Sequence, residues 1–166
     1  MSMPALLGLG GNIGDSRALL AEALRRLDAL DHCRVLAVSR LFRTPPWGVT
    51  DQAWFTNACA AVETDLAAEA LLEACLATER AMKRERIARW GPRTVDIDLL
   101  TYGDLRLDTP ALTLPHPRMA ERAFVLLPLA DIAPGFILEG RSIAERAATT
   151  DAEGIAPLTE NGDWWR

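Results

Sequence analysis

Apolar positions recur along the 166-residue chain with a period of two in some stretches and near 3.6 in others, and the two rhythms mark strands and helices. Residues 4–10 (PALLGLG) form a short apolar run suited to a central strand. GNIGD then breaks the chain before SRALLAEALRRLDAL, where Leu20, Leu24 and Leu27 share one helical face and Asp15 or Ser16 can cap the start. Residues 34–42 suit a second strand, which the prolines and glycine of RTPPWGVTDQAW cannot continue. Residues 55–64 give a third strand. Asp65 is the expected cap of a long helix that turns Leu72, Cys75 and Leu76 inward and runs to about Arg84. In residues 94–101, Val95, Ile97 and Leu99 alternate with Thr94, Asp96 and Asp98, a fourth strand. YGDLRLDTPALTLPHPRM reads as a loop or hairpin. AFVLLPLADIAPG, interrupted by Pro128 and Pro134, reads as a short helix. The last 25 residues hold one helix, SIAERAA, and a polar tail ending in DWWR.

The order β-α-β-β-α-β predicts an α+β protein of the ferredoxin-like plan: an antiparallel sheet flanked by helices, with extra C-terminal elements. A doubly wound parallel sheet would need a helix between the second and third strands, and only the proline-rich loop lies there. No linker or repeat divides the chain, so residues 1–166 are expected to form a single domain.

Composition narrows the function classes. The chain is 49% hydrophobic and 25% charged, an ordinary globular balance, and its net charge of −5 excludes a general nucleic-acid or membrane-surface binder. Cys33, Cys59 and Cys75 are odd in number and form no C-x-x-C pair, which suits buried thiols in a reducing compartment. The N-terminus lacks the basic start of a signal peptide, and no run approaches the roughly 20 apolar residues of a membrane helix. A soluble cytoplasmic protein is expected.

Charge is unevenly spread. Residues 80–93 (RAMKRERIARWGPR) carry Arg80, Lys83, Arg84, Arg86, Arg89 and Arg93 against Glu85 alone, a net +5 that leaves −10 for the rest. A solvated helix end accounts for such cations. So does a polyphosphate clamp, because guanidinium groups match phosphate oxygens bidentately. Asp96 and Asp98 follow directly, on one face of their strand with Cα atoms about 6.5 Å apart at roughly 3.3 Å per residue. An exposed edge strand tolerates that pair. Beside the basic cluster it also suits Mg²⁺, which takes one or two carboxylates together with substrate phosphates and water. Positioned metal and arginines are the equipment of phosphoryl transfer.

GLGGNIGD is not a dinucleotide fingerprint, because Ile13 stands where the third glycine would be. Its glycines suit a tight turn or close approach of backbone to ligand. RTPPWG combines stiff prolines with Trp47, in the manner of a functional loop or of a structural turn. Asn57 can read a heterocycle edge or cap a turn. His116, held between prolines, suits a ligand contact, whereas His32 lies in a polar turn.

Taken together, GLGGNIGD, RTPPWG, FTNA, KRER, RWGPRTVDIDLL, LPHPRM and RAFVLLPLADIAP resemble, in that order, the 6-hydroxymethyl-7,8-dihydropterin pyrophosphokinase family of folate biosynthesis. The resemblance runs from about residue 5 to residue 135. It implies transfer of the diphosphoryl group of ATP to the hydroxymethyl oxygen of the dihydropterin, with release of AMP. It further implies that Asp96 and Asp98 hold two Mg²⁺ ions. Arg84, Arg93, His116 and Arg122 would meet the triphosphate or the transferring group, and Trp90, Leu99 and Thr113 would line the nucleotide side. Thr44, Pro45, Trp47, Phe55, Asn57 and Phe124 would form the pterin pocket, with Phe55 and Phe124 sandwiching the ring. The loops near 10–16, 43–54 and 83–93 would close over the substrates. Gly11, Lys83 and Ala111 depart from residues frequent in the family, and the stretch from Arg86 to Trp90 is one residue shorter than in some members.

The expectation is therefore a monomeric pyrophosphokinase acting on small molecules, without nucleic-acid or membrane partners. A nucleotide-sensing domain on the same scaffold is the main alternative, and the carboxylate pair argues against it. An RNA-binding sheet is disfavoured by net charge and by the lack of paired strand aromatics.

Overall fold

The computed structural model describes residues 2–46, 53–90 and 95–166, with the backbone alone described for 84–90. Strand β1 (Met3–Gly11) leads through a turn to helix α1 (Ser16–Asp28), capped by the Asp15 carboxylate, which accepts a hydrogen bond from the Ala18 N–H. The expected second strand is divided into β2 (Cys33–Val38) and β3 (Phe42–Thr44). Strand β4 (Phe55–Thr64), helix α2 (Ala68–Trp90) and strand β5 (Asp96–Tyr102) complete the predicted order. β5 therefore begins two residues later than the alternation suggested.

The chain breaks between β2 and β3 because its side chains hold it there. Ser39 is buried, accepts from the Cys59 N–H and donates to the Arg40 carbonyl. Arg40 grips Asp131 through its backbone N–H, Nε and Nη2. Three further expectations are corrected at α2. Asp65 is not its cap, since the helix starts at Ala68 and the Asp65 carboxylate instead lies 2.9 Å from His32 Nδ1. Of the residues expected to face inward, Cys75 is buried and Leu72 is partly buried against the core, whereas Leu76 is exposed and Leu71 takes the buried place; the helix continues past Arg84 to Trp90. The burial stripe runs Leu71, Cys75, Thr78, Met82, the three- and four-residue spacing of one helical face.

The main sheet runs β5-β1-β4, with β2 and β3 both paired to the far side of β4. Every pairing is antiparallel, and the order is the ferredoxin-like one with its second strand split. Beyond β5, β6 (Leu107–Asp108) and β7 (Thr113–Leu114) form the anticipated hairpin. The apolar run after Arg122 is helix α3 (Ala123–Ile132), which contains Pro128. A second hairpin, β8 (Ile137–Leu138) with β9 (Arg141–Ser142), precedes helix α4 (Ile143–Thr149), capped by Ser142. Strand β10 (Ala156–Pro157) adds to the outer edge of β3.

Strand alternation divides the core between two faces. Ala5, Leu7 and Leu9 of β1, Ala58, Ala60 and Val62 of β4, and Ile97 and Leu99 of β5 pack in one cluster with the buried residues of α1 and α2. On the other face Leu6, Cys59 and Leu100 pack with Val125, Leu126 and Leu129 of α3 and Ile143 of α4. The tail is less polar than its sequence suggests. Trp165 is buried in the first cluster, its carbonyl accepts from Arg25, and the Trp164 indole donates to the Ser39 carbonyl. Among the described residues no helix is long and apolar enough to cross a membrane.

Candidate active site

Helix α3 covers only part of its face of the sheet, and the uncovered part is where the candidate residues gather. Register sets them in two rows. Asp98 pairs with Gly8, and Gly8 with Cys59; one step along, Asp96 pairs with Gly10, and Gly10 with Asn57. The central strand thus contributes no side chains, so the rows form a hollow with carboxylates on one rim and an amide on the other. Gly10 is required there, because a Cβ would lie 2.4 Å from Asn57 Oδ1. Asn57 is 7% exposed and its Nδ2 donates to Thr44 Oγ1 at 2.7 Å, which fixes the amide orientation.

Around this hollow lies a cavity of about 220 Å³ lined by Gly8, Gly10, Thr44, Pro45, Phe55, Asn57, Cys59, Asp96, Asp98, Arg122, Phe124 and Val125. Two aromatic rings, an amide and a hydroxyl make it suited to a flat, polar-edged heterocycle. The Arg122 guanidinium lies 5.5 Å from the centre of the Phe124 ring. The structure therefore brings Thr44, Pro45, Phe55, Asn57, Arg122, Phe124 and both aspartates to one cavity.

A second cavity, about 500 Å³, runs along the free edge of β5 and is lined by Leu72, Leu76, Glu79, Asp96, Asp98, Leu99, Thr113, His116 and Pro117, among others. The predicted nucleotide-side residues Leu99, Thr113 and His116 meet here. Asp96 and Asp98 belong to both cavities. His116 accepts the Arg118 N–H at Nδ1, which leaves the neutral ring with its proton on Nε2. Burial lowers its pKa, with Arg122 and Arg118 adding to that and Asp98 opposing it.

Glu79 is the site residue that sequence reading missed. It reaches from α2 to accept the Ile97 N–H at 2.6 Å, between the two aspartates on the edge of β5 away from β1. Burial raises its pKa; the Ile97 hydrogen bond opposes this, while Asp96 and Asp98 reinforce it. No motif could have shown it, because its partner is a backbone group 18 residues away. Asp96 is likewise raised, by burial first and then by Asp98, with Lys83 opposing.

These aspartates fit Mg²⁺. Their donors are oxygens only, and a carboxyl held up by burial and a like neighbour gains from a divalent cation. Among the described residues no group of three or more His, Cys, Asp or Glu side chains is disposed to hold a metal; Mg²⁺ held by one or two carboxylates commonly takes water and substrate oxygens as its other ligands. Trp47 and Arg93, and the side chains of Arg84 and Trp90, lie outside the described residues.

Comparison with known proteins agrees with this geometry. A family model described as 7,8-dihydro-6-hydroxymethylpterin-pyrophosphokinase (HPPK) matches residues 6–134. The 2-amino-4-hydroxy-6-hydroxymethyldihydropteridine pyrophosphokinase of Methylorubrum extorquens is 50% identical over 151 residues, covering 91% of this chain and 96% of that protein. Its counterpart in Pseudomonas aeruginosa is 44% identical, covering 92% and 94%. Among solved structures, a Plasmodium falciparum HPPK-DHPS triple mutant with STZ-DHP superposes with a TM-score of 0.72 at 15% identity, over 89% of this chain and 43% of that one. That likeness concerns the fold, and this chain spans less than half of the Plasmodium chain. A sheet hollowed by glycines, rimmed by paired aspartates and matched over most of its length by one family places the chain in the 7,8-dihydro-6-hydroxymethylpterin-pyrophosphokinase family.

Proposed function

We propose that this chain transfers the diphosphoryl group of ATP to the hydroxymethyl oxygen of 6-hydroxymethyl-7,8-dihydropterin, giving AMP and the dihydropterin diphosphate, a step of tetrahydrofolate biosynthesis. The observation that carries the reading is the position of Asp96 and Asp98 in the wall common to two cavities. One cavity suits the flat acceptor, and the longer one along β5 suits a nucleotide.

In this reading the pterin lies between Phe55 and Phe124 with its amide edge at Asn57, whose orientation Thr44 fixes. Pro45 lines that pocket, and the family resemblance would add Trp47 to it. ATP lies along the β5 edge by Leu99, Thr113, His116 and Trp90. The neutral His116 ring donates from Nε2 to a phosphate oxygen. Arg122 lines the acceptor cavity, and by the family resemblance Arg84 and Arg93 of the basic segment would meet the remaining phosphate charge. Asp96 and Asp98 would hold two Mg²⁺ ions, which when bound neutralise phosphate charge and align the groups for transfer. Desolvation of the small cavity favours the pterin hydroxyl over water as the acceptor.

The test is to mix the protein with ATP, Mg²⁺ and the reduced hydroxymethylpterin and identify the nucleotide product. Pterin-dependent AMP is expected. Formation of ADP, or turnover that does not depend on pterin, would overturn the proposal.

A further inference from the structure

The segment after α4 lies beyond residues 6–134, the span matched by the family, yet it packs on the wall of the acceptor cavity. Ala156 and Pro157 of β10 pair with Arg43 and Phe42 of β3, and the Leu158 N–H donates to the Leu41 carbonyl at 2.6 Å. β10 thus extends the sheet beyond β3, the strand that ends in Thr44. The turn entering β10 places Gly154 at φ +82°, a left-handed conformation. A Cβ on Gly154 would stand 3.3 Å from Pro45 Cγ and 3.5 Å from the far edge of the Trp54 ring. Trp54 is itself packed under Arg43, 4.4 Å from guanidinium carbon to ring centre, and Arg43 is the residue opposite Ala156. Gly154, Pro45, Trp54 and Arg43 therefore form one stack beside the cavity, in which a Cβ on the glycine would press on the Pro45 ring and touch Trp54 at ordinary contact distance.

We propose that Gly154 is a positioning residue for the acceptor: its bare backbone, clamped by β10, fixes where Pro45 and Thr44 stand in the cavity. Thr44 in turn orients the Asn57 amide, so a displacement at Pro45 passes to the group that reads the ring edge. The Pro45 ring would have to give by a few tenths of an ångström, and substrate-positioning groups are sensitive to small displacements. The inference rests on the reading above that the pterin occupies this cavity.

The molecule supplies its own control. Gly140 has φ +81°, and a Cβ there meets nothing within 4 Å. Asn tolerates the left-handed region, so Gly154→Asn and Gly140→Asn carry the same backbone change and differ in the contact. Steady-state kinetics with ATP and the hydroxymethylpterin should show KM for the pterin raised about fivefold or more in Gly154→Asn, with KM for ATP within about twofold, and neither changed in Gly140→Asn. If Gly154→Asn shows no cooperative melt, Gly154→Ala makes the same Cβ contact and is measured instead. Asn57→Ala separates the two levels of the argument. A pterin KM raised by Asn57→Ala but unmoved by Gly154→Asn overturns the positioning role alone. A pterin KM unmoved by both overturns the cavity assignment. Equal rises in KM for pterin and ATP would mark a general distortion and also overturn the proposal.

Discussion

Asp96 and Asp98 share a strand face, and burial holds the Asp96 carboxyl above the ordinary carboxylate range. Replacing Asp98 with Ala removes one carboxylate from both cavities without touching the core, so the fold should persist while Mg²⁺-dependent turnover falls by about 10³-fold or more. A thermal melt beside a turnover assay checks both, and near-normal activity would defeat the metal assignment. Gly10→Ala should act differently. Its Cβ collides with Asn57 Oδ1, so overpacking should cost about 1–3 kcal/mol of stability in denaturant titration and weaken pterin binding together. The aspartates were legible because alternation is a local signal. The demand at Gly10 was not, since it depends on which residue of β4 lies opposite.

Among the elements, β5 is the one whose behaviour depends most on a neighbour. It is an edge strand, and the Ile97 N–H between the aspartates, which no strand partner takes, is accepted by Glu79 of α2. Gln at 79 keeps an acceptor oxygen, whereas Leu leaves the Ile97 N–H without one. Glu79→Gln should therefore retain most activity, and Glu79→Leu should raise the Mg²⁺ concentration needed for half-maximal rate several-fold, which corresponds to about 1 kcal/mol from the lost amide bond. Equal Mg²⁺ requirements in the two variants would remove Glu79 from that role. Strand and helix order was readable because each element carries its own period. The division of β2 from β3 was not, because Ser39 and Arg40 are held by Cys59 and Asp131, which are distant in sequence.

For the whole molecule, the three cysteines link stability to alkaline pH. Burial pushes the Cys33 thiol from its ordinary 9.0 up to about 11, aided by Asp28. It pushes Cys75 to about 12, aided by Cys33, Glu79 and Asp98, and raises Cys59 further still. The unfolded chain ionises these thiols above about pH 9 while the folded chain keeps them protonated, so the unfolded state gains and stability is lost as pH rises from 9 toward 11. The thermal midpoint should fall steeply over that window, and a variant with Ala at all three positions should lose that slope. The tail contributes on the same scale. Trp165→Ala empties a buried site against α1 and should cost about 3–5 kcal/mol in denaturant titration. Nothing in DWWR announces this, because whether an aromatic tail docks depends on the groove it meets.

Gly8 and Gly10 of β1 differ in what an added side chain would meet. A Cβ at Gly8 would meet only the Leu100 side chain at 3.6 Å, an ordinary contact, while Gly10 has no room at all. The floor of the acceptor cavity can therefore be raised at one row without disturbing the other. Ala, Ser and Val at position 8 form a graded depth gauge: the largest side chain that still permits binding measures how far any ligand descends toward the sheet.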